Sequence, residues 1–160
     1  SNTQQDPIIE NVFNPAGGMR DEDNTYARAQ FKDLKICYFH NTVYDVLWED
    51  PSRASKPLPV EHLGGFGPQT RLILVGDASM APYELMAADG SIHVKERSGK
   101  PSIEQLKFLA QTFPHSVWLN PASSQLWDYT PTIKTIRQIF PMFELSLDGL
   151  EAAVRHLMAK

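Results

Sequence analysis

The sequence predicts an α/β fold in three layers, a mainly parallel sheet with helices on both faces and one antiparallel edge hairpin. Three observations lead there. Arg71–Val75, RLILV, carries after its arginine an unbroken run of branched apolar residues that stops abruptly at Gly76-Asp77-Ala78-Ser79, the pattern of a strand covered on both faces with a loop at its carboxyl end. Comparable runs at residues 34–39 and 116–119 alternate with segments of helical period, and such alternation produces a largely parallel sheet with helical crossovers. Finally, residues 42–48 place Val43, Asp45 and Leu47 on one face and Tyr44, Val46 and Trp48 on the other directly after the 34–39 run, which predicts an antiparallel edge strand hairpinned to its predecessor.

Taken in order, residues 1–24 form a polar lead-in with a turn signal at Asn14-Pro15-Ala16-Gly17-Gly18 and an acidic cluster at Asp21, Glu22 and Asp23. Mobility is expected there, with the domain proper over residues 25–160. A short helix is predicted near 25–33, then the 34–39 strand, the His40-Asn41 turn and the edge strand. Proline and glycine make residues 51–68 a long connection. After Arg71–Val75 a short helix begins at Pro82. Ser102 and Gln105 have capping-box spacing, and Ile103, Leu106, Leu109 and Phe113 share one helical face. A strand at 116–119 ends at Asn120-Pro121. Thr130 before Pro131 suits a cap with proline in the first turn, and Ile133, Ile136 and Phe140 supply the buried stripe of a helix that Pro141 stops. A short strand at 143–145 and an amphipathic helix carrying Leu147, Leu150, Val154 and Leu157 complete the chain.

At 160 residues one hydrophobic core suffices without covalent staples. The single cysteine, Cys37, lies in the apolar run LKICYF and reads as an inert core thiol. No stretch approaches the roughly 20 apolar residues that cross a bilayer, and no signal-peptide pattern opens the sequence, so a cytoplasmic protein without a membrane span is expected. The net charge of −4, from 19 acidic and 15 basic residues, comes without the basic stripe of a nucleic-acid binder. Trp48, Trp118 and Trp127 therefore read as core or loop anchors rather than a stacking platform. His62, His93, His115 and His156 lack metal-ligand spacing.

The carboxyl edge of a parallel sheet is where ligands bind, and Asp77 and Ser79 are delivered to it. A carboxylate and a hydroxyl there can hold a divalent cation, orient a substrate, or cap the helix that begins at Pro82. His40, Asn41 and Asn120 end strands on the same edge. GDASM is not the Gly-x-Ser-x-Gly nucleophile elbow, and no Walker A or dinucleotide fingerprint is present. A small metal-dependent hydrolase with Asp77 as nucleophile is the catalytic alternative, although Ser79 stands where a second aspartate would be expected.

The phrases QFKDLKICYFHNTVYDVLWEDP, TRLILVGDASMAPYEL, FPHSVWLNPASSQLWDYT and IKTIRQIFPMFELSLDGLEAAVRHL resemble, in wording and order, the von Willebrand factor A (VWA) domains of the CoxE-like bacterial type, over about Gln30 to the end. That resemblance implies a Rossmann-like fold, a non-catalytic adaptor role in protein binding, and partnership with a MoxR-type AAA+ ATPase in assembling or activating another protein complex. Many such domains hold Mg²⁺ or Mn²⁺ in a metal-ion-dependent adhesion site, and the resemblance gives Asp77 the last aspartate position of that site. His40, Asn41, Ser79 and Asn120 would be ligand- or partner-binding residues beside it.

The departure lies upstream. No Asp-x-Ser-x-Ser sequence precedes Leu34, and too few residues separate Gly17-Gly18 from YFHN for a loop and a helix of about eleven residues. IIENVF, residues 8–13, is a poor candidate for a central strand because Glu10 and Asn11 suit a buried position badly. The metal site is thus expected to be incomplete, and the first strand eroded or absent. Its place between the 34–39 and Arg71–Val75 strands would then be open to a segment of another chain, a route to an oligomer.

Overall fold

The computed structural model describes residues 7–12, 33–37, 39, 42–49, 52, 57–67, 69–87 and 100–159. Strands β1 (Pro7–Val12), β2 (Asp33–Cys37), β3 (Val46–Leu47), β4 (Leu58–Pro59) and β5 (Arg71–Val75) are followed by helices α1 (Pro82–Met86) and α2 (Ser102–Thr112). Then come β6 (Ser116–Asn120), α3 (Pro131–Arg137), β7 (Met142–Glu144) and α4 (Leu147–Met158). Single 3₁₀ helices occupy Val60–Phe66 and Ser124–Tyr129.

The main sheet has the order β2-β1-β5-β6-β7, with every pairing parallel. This is a doubly wound order: the chain steps from β1 to β2 on one side and later returns to lay β5 on the other, which puts the switch point of the order between β1 and β5.

The central strand corrects the sequence expectation. Residues Pro7–Val12 fill the position expected to be eroded or absent, Ile8 pairing with Leu34 on one side and Arg71 on the other, and Asn11 with Cys37 and Leu74. Backbone groups make these pairings and are the same for Glu10 and Asn11 as for valine, so polar side chains did not prevent the strand. Pro7 opens it, where a missing N–H is tolerated in a sheet. No second chain is needed at this position, and residues 7–12, read as part of a lead-in, belong to the sheet. Of the helix expected over residues 25–33, Asp33 instead opens β2, and residues 25–32 lie outside the described residues.

The edge hairpin is also corrected. Val46 and Leu47 pair antiparallel with Pro59 and Leu58, in a separate two-stranded sheet, and the Val60 N–H donates to the Asp45 carbonyl at 2.9 Å. Val43, Tyr44, Leu47 and Trp48 are all buried, so both faces of the alternating segment are covered. Val43 and Leu47, with Val60 and Leu63 of the following 3₁₀ helix, join the core instead of extending the main sheet.

All five residues of β5 and of β6 are buried, and alternate side chains serve opposite faces. Leu72, Leu74 and Trp118 pack with Leu106 and Leu109 of α2 and Ile133 and Ile136 of α3. Ile73, Val75, Val117 and Leu119 pack with Leu150, Ala153, Val154 and Leu157 of α4. Apolar helix faces therefore cover β5 and β6 on both sides.

Three local devices hold these layers. Arg71, buried at the start of β5, donates from Nε to the Leu157 carbonyl at 2.8 Å and from Nη1 to the Gln69 carbonyl at 2.7 Å, tying the sheet to the last turn of α4. Ser146 caps α4, its Oγ accepting from the Gly149 N–H at 3.0 Å, and Gly149 lies so close to Glu144 that a Cβ would overlap its carbonyl oxygen. Ser102 was expected to close a capping box, but Pro101 takes the cap position. The Ser102 hydroxyl donates instead to the Val43 carbonyl and accepts from Thr42 Oγ1 at 2.7 Å, because each hydroxyl carries one proton.

Candidate functional site

The loop leaving β5 is shaped by the strands beside it. Gly76 extends the ladder, its N–H donating to the Leu119 carbonyl at 3.1 Å, and its own carbonyl accepts from Trp118 Nε1 at 2.8 Å. A Cβ on Gly76 would meet Phe39 Cζ and Trp118 Cζ2 at 3.4 Å each, so these two rings, with centroids 6.3 Å apart, close over the glycine. Asp77 turns the chain: its Oδ1 accepts from the Ser79 N–H at 3.1 Å, an Asx turn. Between them Ala78 adopts φ +55°, a left-handed conformation that costs an alanine roughly 1–2 kcal/mol. It is buried, and its carbonyl accepts from Thr132 Oγ1 of α3 at 2.9 Å.

Asp77 is half-buried and Ser79 exposed. Neither caps α1, whose cap residue is Ala81 without a side-chain hydrogen bond. Helix capping, one of the roles open to them in sequence, is thus replaced by a turn internal to the loop. Asn120 is fully buried. Its Nδ2 donates to the Asp77 carbonyl at 3.1 Å and approaches Met142 Sδ at 3.5 Å, while Oδ1 accepts from the Ala122 N–H at 2.8 Å. The amide expected to meet a partner instead joins the loops leaving β5 and β6. His40 and Asn41 lie outside the described residues.

The connection after β6 is anchored by Trp127, buried with Nε1 donating to the Ala122 carbonyl at 2.9 Å. Arg137 stacks over the indole, its guanidinium carbon 5.2 Å from the ring centroid, and meets Asp128 at 3.2 Å. The Ser124 N–H donates to Glu144 Oε2 at 3.1 Å, joining this connection to the end of β7. A groove of about 320 Å³ runs between the 3₁₀ helix and α3, lined by Asp128, Tyr129, Pro131, Lys134, Thr135 and Gln138.

A feature the sequence reading missed lies in the segments that follow β5, β6 and β7. Six large apolar side chains are exposed among the described residues, and five of them, Tyr83, Met86, Leu126, Tyr129 and Leu147, follow the carboxyl ends of β5, β6 and β7. Tyr129 is 84% exposed. Leu147, assigned from its spacing to the buried stripe of the last helix, is 50% exposed. The signal was present in sequence as apolar residues within the polar, proline-punctuated segments after each strand.

Among the described residues no three His, Cys, Asp or Glu side chains come together to hold a metal ion. Asp77 and Ser79 offer one carboxylate and one hydroxyl, to which water would have to add most of the six oxygens of a Mg²⁺ shell. No helix among the described residues is long and apolar enough to cross a membrane. Compared with protein-family models, curated proteins and solved structures, the chain matches none.

Proposed function

We propose that this chain is a non-catalytic interaction module, a three-layer VWA-like domain of the CoxE-like type, that docks another protein on the carboxyl edge of its sheet. On this reading it is an adaptor for a MoxR-type AAA+ ATPase in the cytoplasm, in the assembly or activation of a further protein complex. The observation that carries the reading is that five of the six large apolar side chains exposed among the described residues belong to the segments that follow β5, β6 and β7. Scattered exposed apolar residues are ordinary on a soluble protein, whereas their grouping marks an interaction surface. The strand order supports the family part of the reading, since a parallel strand, β1, lies between β2 and β5, as the resemblance requires. Asp77 and Ser79 lie within the proposed contact surface, Asn120 holds their loop in place, and no metal-bridged contact is drawn.

Mixing the purified chain with a MoxR-type ATPase from the same organism, monitored by sedimentation velocity with nucleotide present, tests this. A complex is expected that Leu126→Ser/Tyr129→Ser abolishes and Phe66→Ser, remote from this edge in sequence and topology, leaves intact. Absence of a complex overturns the partner assignment. A complex indifferent to the Leu126/Tyr129 change overturns the surface.

A further inference from the structure

We infer that a cleft between the β3–β4 ribbon and the first half of α2 binds an organic cation, an ammonium or guanidinium group on a short aliphatic stem. Its described lining is Asp45, Glu61, Lys100, Glu104, Gln105 and Phe108, around a space of about 190 Å³, that of roughly six water molecules. None of these residues belongs to the docking surface proposed above, so the inference stands apart from that reading.

Gln105 points to an occupant. It lies on the buried face of α2 with Ser102, Leu106 and Leu109 and is only 6% exposed, yet its carboxamide has no hydrogen-bond partner among the described residues. Buried amides are almost always satisfied, and this one belongs to the lining of the cleft, where it is the most buried residue. The walls are fixed before anything binds. Ser102 ties α2 to Val43 and Thr42, the Val60 N–H bonds the Asp45 carbonyl, and Val60 and Leu63 share the core with Leu106 and Leu109.

The charge of the lining is unmatched. Among the described residues the Asp45 and Glu104 carboxylates have no ion-pair or hydrogen-bond partner, and Glu61 meets only the adjacent His62, at 3.8 Å. Lys100, the cation of the described lining, is already engaged. These acceptors do not converge on one point, since no three His, Cys, Asp or Glu side chains among the described residues come together to hold a metal ion. An ammonium or guanidinium group instead meets separate acceptors with separate N–H donors, and the Gln105 Oε1 supplies a neutral acceptor among the charged ones. Phe108, half-buried, offers its ring to the aliphatic stem.

Titration of the nitrogen-15-labelled full chain with n-butylammonium and n-butylguanidinium chloride, followed by NMR, provides the test. Saturable movement of the Gln105 side-chain amide is expected with at least one of these cations and not with neutral n-butanol or with magnesium chloride. Asp45→Asn/Glu104→Gln, which keeps the shape and removes the charge, should weaken binding at least about tenfold. Gln105→Met removes the amide at similar length and should weaken it comparably, while the melting temperature holds or rises because an unpaired buried polar group is gone. Blocked Gly-Lys-Gly and Gly-Arg-Gly peptides distinguish the sources: peptides that bind as well as the free cations make a protein side chain the ligand, and peptides that fail where the free cations bind make it a small amine. No saturable movement with either cation overturns the inference. Equal movement with n-butanol or magnesium, or binding that survives either the Asp45/Glu104 or the Gln105 change, overturns it as well.

Discussion

The Thr132 hydroxyl donates to the carbonyl of Ala78 across 2.9 Å, and Ala78 is the non-glycine residue held at φ +55° in the loop after β5. The bond links the strained turn to the first turn of α3 in a buried setting. Thr132→Val keeps the shape and removes the donor, leaving a buried carbonyl without that partner. A loss of about 1–3 kcal/mol is expected, read as a lower urea midpoint at unchanged slope. Thr132→Ser, which retains the hydroxyl, should recover most of it.

Gly149 gives the sharpest steric prediction. A methyl group there overlaps backbone, the Glu144 carbonyl oxygen, and no side-chain rotation relieves it. Gly149→Ala should cost about 3 kcal/mol or more, the upper range of overpacking. Gly65→Ala, where a Cβ would meet nothing within 4 Å, should stay within about 0.5 kcal/mol. Chemical denaturation of the two variants side by side checks the contrast.

Arg71 is expected to matter more through its fork than through its charge. Arg71→Met removes the donors to the Leu157 and Gln69 carbonyls and should cost about 1.5–3 kcal/mol, as hydrogen bonds from a charged group do. Arg71→Lys should recover only part of that, since an ammonium cannot reproduce the planar geometry. Hydrogen exchange should accelerate in the last turn of α4 before the rest of the helix.

The two roles of Asp77 separate by substitution. Asparagine forms an Asx turn as well as aspartate does, so Asp77→Asn should leave stability within about 0.5 kcal/mol, whereas Asp77→Ala should lose about 0.5–1.5 kcal/mol with the bond to Ser79. Both changes remove the carboxylate from the proposed contact surface, so both should weaken the binding of the protein partner. Thermal melts and partner titrations on the same samples distinguish the effects.

Much of the fold was legible because apolar periodicity is a local property. Arg71–Val75, Ser116–Asn120, Ser102–Thr112 and Leu147–Met158 stand close to where their patterns place them. The failures concern partners distant in sequence. Glu10 and Asn11 made Pro7–Val12 look unsuited to the sheet centre, yet its pairing uses backbone groups contributed by two remote strands. Ser102 had the spacing of a capping box, but Val43 and Thr42, far upstream, claim its hydroxyl. At the candidate site, Asp77 and Ser79 were visible as polar residues ending an apolar run. The burial of Asn120 was not, because nothing local says that its amide would meet the Asp77 carbonyl from the neighbouring strand. The exposed edge residues were overlooked for a related reason: hydrophobicity alone does not tell a core residue from a docking one.

The central place of β1 also bears on the order in which the chain assembles. Pro7–Val12 leaves the ribosome well before Arg71–Val75, its second neighbour, so through much of synthesis one side of the strand has no partner within the sheet. Parallel pairings between such remote segments are slow to form, and an unpaired strand edge in a partly made domain invites aggregation. A chaperone that shields the nascent chain until β5 has emerged should raise the soluble yield, and deleting residues 1–12 should split the sheet at its middle instead of trimming a tail.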